Sequence, residues 1–453
     1  MTSKTKTIDM TKGPIFGPLV LFMLPLIGGS VFQQLYNTVD FIFVGNFLDK
    51  TAAAAVGASA TLINCTIGLF SGIAVGTTVV AARAIGAGQK ERAEKALHSS
   101  VTFGLIGGVI LLVLGIIFSP AILRLLNTPD SVMPQAITYI RIYLISLPML
   151  IFYNMVSGGL RAEGDSATPF KVLVICGLLN VGFDALFIVA IPLGVAGAAV
   201  ATTMTQTLSA ILIAVFASSK KRTLRLSFKK LGIDKEVLKN ILRIGLPTGV
   251  QTIIITVSNV FVQYFINDFG ETAVAAFATY YKVENLIFLV ILALGQASTT
   301  FAAQNTGAGN YKRIRKGSLI MLAFGSAVTL VIAGVILIFS STVFRWFMKD
   351  PDVLKAAISL AMVSFPFYWI YPAIEVFGGA IRSLGYSITS MIVIIINLCA
   401  IRIGLLALFS NTIHTMQSLA AVYPITWATA AVSFAVIFFI LIRKYIKKEA
   451  EQV

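Results

Sequence analysis

The sequence predicts an all-α polytopic membrane protein, with 12 transmembrane helices in two six-helix bundles related by a pseudo-two-fold axis along the membrane normal. Three observations carry this expectation. Of 453 residues, 57% are hydrophobic and 12% charged, and mean hydropathy is +0.90, which leaves too little polar surface for a soluble globule. Twelve apolar stretches follow one another, each long enough at ~1.5 Å per residue to cross a bilayer. The two halves also repeat each other, and each holds an even number of spans, so both enter the membrane from the same side.

The first span, 15–44, contains Pro25, which removes a backbone hydrogen bond and bends the helix as a hinge. Beyond it Gln33, Asn37 and Asp40 stand at i, i+4 and i+7 on one face. An ionised Asp in hydrocarbon costs at least ~2.5 kcal/mol on insertion scales, so Asp40 is expected to face protein, trapped water or a bound cation. Spans two and three, 52–82 and 97–118, flank a basic loop containing Gly86-Ala87-Gly88. Span four, 134–160, carries Tyr139 and Asn154. Span five, 169–191, places Asn180 and Asp184 four apart on one face, and span six, 194–217, does the same with Thr202 and Gln206.

The second half runs through 239–266, 273–303, 314–339, 353–381, 387–409 and 419–442. Its first span carries the helically spaced stripe Thr252, Thr256, Asn259 and Gln263, which either lines a cavity or stitches helices together. The next holds Lys282 and Glu284, which either neutralise each other or serve a function. Glu375 follows Trp369, Tyr371 and Pro372 near an expected bend, with Arg402 in the eleventh span as a candidate counter-charge. The longest polar interruption divides the chain into an N-terminal lobe 1–217, a basic cytoplasmic linker 218–238, and a C-terminal lobe 239–453.

The repeat is in register across loops as well as spans. Leu24-Pro25 matches Leu246-Pro247 and Asn37 matches Asn259 at a spacing of 222. At 221, Thr51 pairs with Thr272, Gly86-Ala87-Gly88 with Gly307-Ala308-Gly309, Arg92 with Arg313, Arg161 with Arg382 and Gly164 with Gly385. Duplication explains so many matches. It implies two bundles around a central cavity, with transport by alternating access. The halves are not chemical copies, since Asp40 falls opposite Val262.

A net charge of +16 could point to nucleic acid, but its distribution follows topology. With the N-terminus inside, 27 of 35 basic residues fall on the cytoplasmic side and five on the other. That asymmetry places both termini in the cytoplasm and needs no nucleic acid. No small-residue cleavage site follows the polar stretch 1–12, so the first helix is expected to remain in the mature protein. Cys65, Cys176 and Cys399 lie in apolar stretches without metal or disulfide spacing, and read as buried thiols.

An enzyme needs a recognisable constellation, and this chain has two histidines, no P-loop and no nucleotide-binding glycine motif. Without a soluble domain to bind ATP, transport is expected to draw on an ion gradient. Asp40, Asn180, Asp184 and Thr202 together offer oxygen ligands suited to Na⁺. Two nearby carboxylates are equally suited to sharing a proton. The competing reading pairs Asp184 with a basic group and has Asn180 crosslink helices. Glu284, Glu375 and the aromatic rings of Tyr36, Phe152, Tyr153, Phe288 and Tyr371 are candidates to hold a flat organic cation.

Leu24-Pro25 leading to Gln33-Gln34-Leu35-Tyr36-Asn37-Thr38-Val39-Asp40, the Gly86-Ala87-Gly88 loop, and Ser157-Gly158-Gly159-Leu160-Arg161-Ala162-Glu163-Gly164-Asp165 resemble the multidrug and toxic compound extrusion (MATE) family. The resemblance covers essentially the whole chain and favours the DinF-like branch with its MepA-type pumps. It implies a plasma-membrane antiporter without cofactor, in which H⁺ or Na⁺ enters while an organic, mainly cationic drug leaves. It carries cation coupling onto Asp40, Asn180, Asp184 and Thr202, with Tyr139 nearby, and leaves Tyr36, Asn37, Asn154, Glu284 and Glu375 as substrate or cavity residues. The acidic residue of NorM-like members in the seventh span is absent, with Ile255 in its place. Small organic cations and the lipid bilayer are the expected partners, and the chain is expected to act as a monomer. The runner-up is a lipid-linked saccharide flippase or a dedicated metabolite exporter. A flippase would favour a cavity rich in basic residues to hold pyrophosphate, whereas only Arg141, Lys282 and Arg402 lie in spans.

Overall fold

A computed structural model describes residues 7–451 except 126, 221 and the side chain of 61. Lys4, Lys6 and Lys221, counted above in the cytoplasmic charge, lie outside the described residues. The order is α1 (Phe16–Phe47), α2 (Lys50–Gly86), α3 (Lys90–Leu125), α4 (Met133–Ile145), α5 (Leu147–Ala162), α6 (Ala167–Asp184) and α7 (Val195–Ala217) in the first half. The second half holds α8 (Lys235–Asn267), α9 (Glu271–Gly307), α10 (Tyr311–Ile338), α11 (Ser340–Arg345), α12 (Pro351–Ser364), α13 (Tyr371–Ser383), α14 (Ser387–Ile394), α15 (Arg402–Thr412) and α16 (Met416–Ala450). Among the described residues eleven helices are long and apolar enough to span a membrane, or twelve when the bent pair α4–α5 is counted as one span.

The fourth expected span is therefore two helices, bent by 43°. The break falls at Ser146, where Pro148 supplies no N–H for a continuing turn. The fifth span ends in a π-helical segment, Ala185–Ala190, directly after Asp184. Such wide turns leave carbonyls free of the regular ladder. The tenth span passes through a 3₁₀ segment, Phe365–Ile370, and the eleventh through a π segment, Ile395–Ile401.

Helix starts follow local chemistry. Asp49 caps α2 by accepting from Ala52 N at 2.6 Å, and Asp350 caps α12 by accepting from Asp352 N and Val353 N at 2.9 and 3.1 Å. The repeat is visible in the backbone too. Gly88 and Gly309 both take φ +73, the left-handed conformation that ends α2 and α9 and that a Cβ disfavours.

The chain forms two compact units, Met1–Asp9 with Leu24–Gly249 and Met10–Met23 with Val250–Val453. These divide inside the first helix of each half, beside Pro25 and Pro247, rather than at the basic stretch. The reason lies in what each helix start packs on. Phe16 of α1 meets Phe324 of α10 edge-on at 5.4 Å. In the first unit, α8 approaches α2 so closely that a Cβ on Gly72 would lie 2.2 Å from Gly249 N.

Within each unit one helix is central. α2 packs on α3, α4 and α5, and its repeat equivalent α9 packs on α10, α12 and α13. About two thirds of the apolar window of each is buried, 67% and 72%, so these two face protein rather than lipid. On α3 only 17% is buried, and Ile106, Val109, Ile110, Val113 and Ile117 are exposed, as a lipid-facing helix requires.

The basic stretch is not a free linker. Leu224 and Leu226 are buried, and Arg222 enters the first unit to pair with Asp165 at 2.8 Å and Glu163 at 3.6 Å. Ser227 N donates to His98 Nε2 at 3.0 Å, which makes Nδ1 the nitrogen that donates to Glu94 O at 2.7 Å. Cys176 and Cys399 are buried as expected, while Cys65 is only half-buried.

Candidate functional site

The centre of interest in the first unit is built from α1 and α6, with α4 beside them. Helical spacing puts Asn180 and Asp184 one turn apart on α6, both buried. Asp40, from the second half of α1, and Asp184 lie within electrostatic reach of each other. Asp40 Oδ1, both Asp184 carboxylate oxygens and Asn180 Oδ1 are buried and find no hydrogen-bond donor among the described residues. Nor does any Lys, Arg or His nitrogen approach either aspartate within 4.0 Å among the described residues. The alternative in which Asp184 pairs with a basic group is thus not what the structure shows.

Two unit negative charges ~4 Å apart repel by ~4 kcal/mol at an effective dielectric of ~20. Buried polar atoms are ordinarily satisfied, and these are met by no donor among the described residues. Tyr36, one turn before Asp40, and Tyr139 of α4 both lie within electrostatic reach of the two aspartates. The Tyr139 ring stacks on Tyr143 at 6.2 Å. Tyr143 was not singled out in the sequence, although its i+4 spacing from Tyr139 marks the same helical face.

No hydrogen bond among the described residues joins the remaining sequence candidates to this pair. Thr202 donates to Ala198 O at 3.1 Å on its own helix, which leaves its lone pairs available as an oxygen ligand. Asn154 Nδ2 donates to Leu150 O at 2.9 Å. Asn37 is exposed. Tyr153 donates to Pro169 O at 3.1 Å. Phe152, grouped above with the cavity aromatics, is a packing residue instead, buried and stacked on Phe228 at 6.4 Å.

Glu284 and Glu375 belong to the second unit. Lys282 is exposed while Glu284 is buried, because positions two apart point to opposite sides of a helix. The two do not neutralise each other. Glu284 Oε1 instead accepts from the hydroxyls of Tyr368 and Tyr280. Glu375 pairs with Arg382 of its own helix at 3.9 Å, not with Arg402. The guanidinium of Arg402 stands over the Tyr423 ring, 4.8 Å from its centroid. Phe288 and Tyr371 do meet, edge to face at 4.9 Å.

Up to twelve helices among the described residues are long and apolar enough to cross a membrane, which defines a multi-pass membrane protein. The MatE family model matches twice, over residues 25–186 and 247–408, which restates the internal repeat at 222. The chain belongs to this family of transporters. It is 27% identical over 443 residues to "Probable multidrug resistance protein YoeA" of Bacillus subtilis, covering 95% of this chain and 94% of that one. A second relative, 24% identical over 92% of this chain and 93% of its own length, is named FAD transporter, from Shewanella oneidensis. Among solved structures, an outward-facing multidrug resistance MATE transporter of the MOP superfamily superposes with TM-score 0.90 at 25% identity, covering 99% of this chain and 100% of that one. A MATE transporter in a bent conformation gives 0.92 at 25%, with the same coverage.

Proposed function

We propose that this chain is an antiporter of the plasma membrane that exports organic, mainly cationic drugs in exchange for H⁺ or Na⁺, with both termini cytoplasmic and Asp40–Asp184 as the coupling site. One observation carries the reading. Two carboxyl groups lie within electrostatic reach of each other, and Asp40 Oδ1 and both Asp184 oxygens are buried without a donor among the described residues. A shared proton or a Na⁺ relieves their repulsion, and Asn180, Thr202 and Tyr139 supply further oxygens around it.

Coupling follows from differential binding, since a ligand shifts a conformational equilibrium only by its preference for one state. Filling the pair removes negative charge next to Tyr36 on the segment of α1 that follows Pro25. A cationic drug then loses attraction, and α1 changes its preferred path at that proline. Cation and drug compete, and the bilayer separates the sides from which each arrives.

Reconstituted vesicles loaded with a fluorescent organic cation test this under Na⁺ and pH gradients imposed separately. One gradient drives efflux in wild type, and Asp40→Asn and Asp184→Asn each lower it by about 100-fold, the loss of ~3 kcal/mol of charged interaction. Normal flux in both variants would sink the proposal. A second reading, export of a dedicated metabolite, is favoured by the relative named FAD transporter. FAD added as a competitor separates the two, because only a metabolite site is blocked by it.

A further inference from the structure

The second unit contains a buried carboxyl group that the antiport reading does not use. Glu284 sits in the middle of α9, the helix least exposed to lipid, and is 9% exposed. Its Oε1 accepts from Tyr368 on the 3₁₀ segment and from Tyr280, one turn earlier on α9, at 3.3 Å. Tyr280 in turn shares a hydrogen bond of 2.8 Å with Ser364 of α12, in which either oxygen can be the donor. No Lys, Arg or His nitrogen lies within 4.0 Å of Glu284 among the described residues.

The kind of partner decides what this carboxyl can do. Asp165, near the end of α5, accepts from Thr168 N, from Thr168 Oγ1 and from Arg222, and of these the amide and the guanidinium can only donate. Glu284 is met by hydroxyls alone, and a hydroxyl donates or accepts as its hydrogen rotates. The ionised carboxylate accepts from Tyr368 and Tyr280. The neutral acid donates to one of them, and the chain to Ser364 reverses its direction. Both protonation states are satisfied without moving a heavy atom.

Other charged and titratable groups facing Glu284 define its counter-charge. Arg402 of α15 is within electrostatic reach. It is held over the Tyr423 ring and bonds Thr426 Oγ1 of α16 at 3.2 Å, while its buried Nε has no partner among the described residues. Tyr281 bonds Tyr423 at 2.6 Å, and Tyr371 of α13 is within electrostatic reach of Glu375, Arg402 and Glu284. At the repeat spacing of 221 to 222, Asn180 falls opposite Ile401 or Arg402, and Thr202 opposite Tyr423 or Pro424. Where the first unit leaves room for an exchangeable cation, the second carries its own guanidinium. A metal ion is not called for, since Glu284 Oε1 is already met by hydroxyl donors and no cluster of three His, Cys, Asp or Glu exists among the described residues.

We infer that Glu284, held by the Tyr368 and Tyr280–Ser364 hydroxyls, is a second and separate proton-binding site in this transporter, taking up H⁺ and not a metal ion. The inference goes beyond the antiport reading and stands without it.

Trp427 reports on the site, its ring 4.5 Å from that of Tyr368. The chain has three tryptophans, and the other two, Trp346 and Trp369, are exposed. The full-length protein carrying Trp346→Phe and Trp369→Phe therefore isolates the signal. Its fluorescence in nanodiscs, titrated from about pH 5 to 9 in K⁺ and again in Na⁺, is expected to show one transition with the same midpoint in both salts. Glu284→Gln removes that transition, whereas Asp40→Asn with Asp184→Asn leaves it. Tyr368→Phe keeps the carboxyl but displaces the midpoint by about one pH unit, which covers the case in which Glu284→Gln does not fold. No transition, one that survives Glu284→Gln, one abolished by the aspartate variants, or one moved by Na⁺ overturns the inference.

Discussion

Arg222→Met tests the physical account of the first unit at its basic stretch. The Arg222 side chain is 2% exposed. It donates through NH2 to Asp165 Oδ2 at 2.8 Å and to Thr168 Oγ1 at 2.9 Å, and through Nε to Phe216 O at 2.9 Å. Its NH1 stands 3.6 Å from Glu163. At an effective dielectric of ~20 the two ion pairs amount to ~6 and ~5 kcal/mol of gross attraction, most of it offset by desolvation of three buried charges. Removing the arginine leaves two carboxylates buried and unpaired, so the net loss is ~3–5 kcal/mol. For a unit of this size that lowers the thermal midpoint by about 10 °C. Thermal unfolding of detergent-solubilised protein, followed by thiol accessibility at Cys176, measures it. The triple variant Arg222→Met/Glu163→Gln/Asp165→Asn should regain about half the loss, because neutral side chains cost less to bury. A single variant within about 2 °C of wild type, or a triple variant worse than the single, would refute the argument.

Three further outcomes follow from the packing. Gly72→Ala forces α2 away from α8, because its Cβ would lie 2.2 Å from Gly249 N and 2.8 Å from Gly245 O. A loss of ~1–3 kcal/mol in thermal unfolding is expected, and an unchanged midpoint would mean the helices are not held that close. Asn180→Leu removes the buried amide oxygen, one turn from Asp184, that has no partner among the described residues. It should raise the concentration of coupling ion needed for half-maximal flux roughly tenfold while leaving unfolding within ~1 kcal/mol of wild type. Arg313→Ala releases the segment before α1, where that guanidinium donates to the carbonyls of Met10, Lys12 and Gly13 at 3.1, 3.0 and 2.8 Å. Trypsin cleavage after Lys12 should then speed up about tenfold, for a loss of ~1.5 kcal/mol.

Much of the molecule was legible in the chain alone because lipid imposes a simple rule. Backbone groups in hydrocarbon must be satisfied within their own helix, so apolar length reports spans directly. The same rule singles out Asp40, since a carboxylate on a spanning helix is too costly to be incidental. The duplication was equally open to reading, because glycines such as Gly88 and Gly309 recur wherever the backbone needs the same left-handed turn. The break at Ser146 was less so, as Pro148 alone does not say whether a helix kinks or ends.

Pairing between distant side chains required the tertiary structure. Asp40 and Asp184 are 144 positions apart in sequence, and nothing in either helix states that their carboxyl groups meet. Glu375 stands near several bases by composition, but two turns of one helix bring Arg382 to it and leave Arg402 over Tyr423. The basic stretch reads as a solvated linker until Arg222 is seen buried among Glu163, Asp165 and Thr168. Hydrophobic length and helical period are local properties and are written in the sequence. Which charge meets which depends on packing between helices, where a shift of one residue turns a side chain by about 100° and gives it a different neighbour.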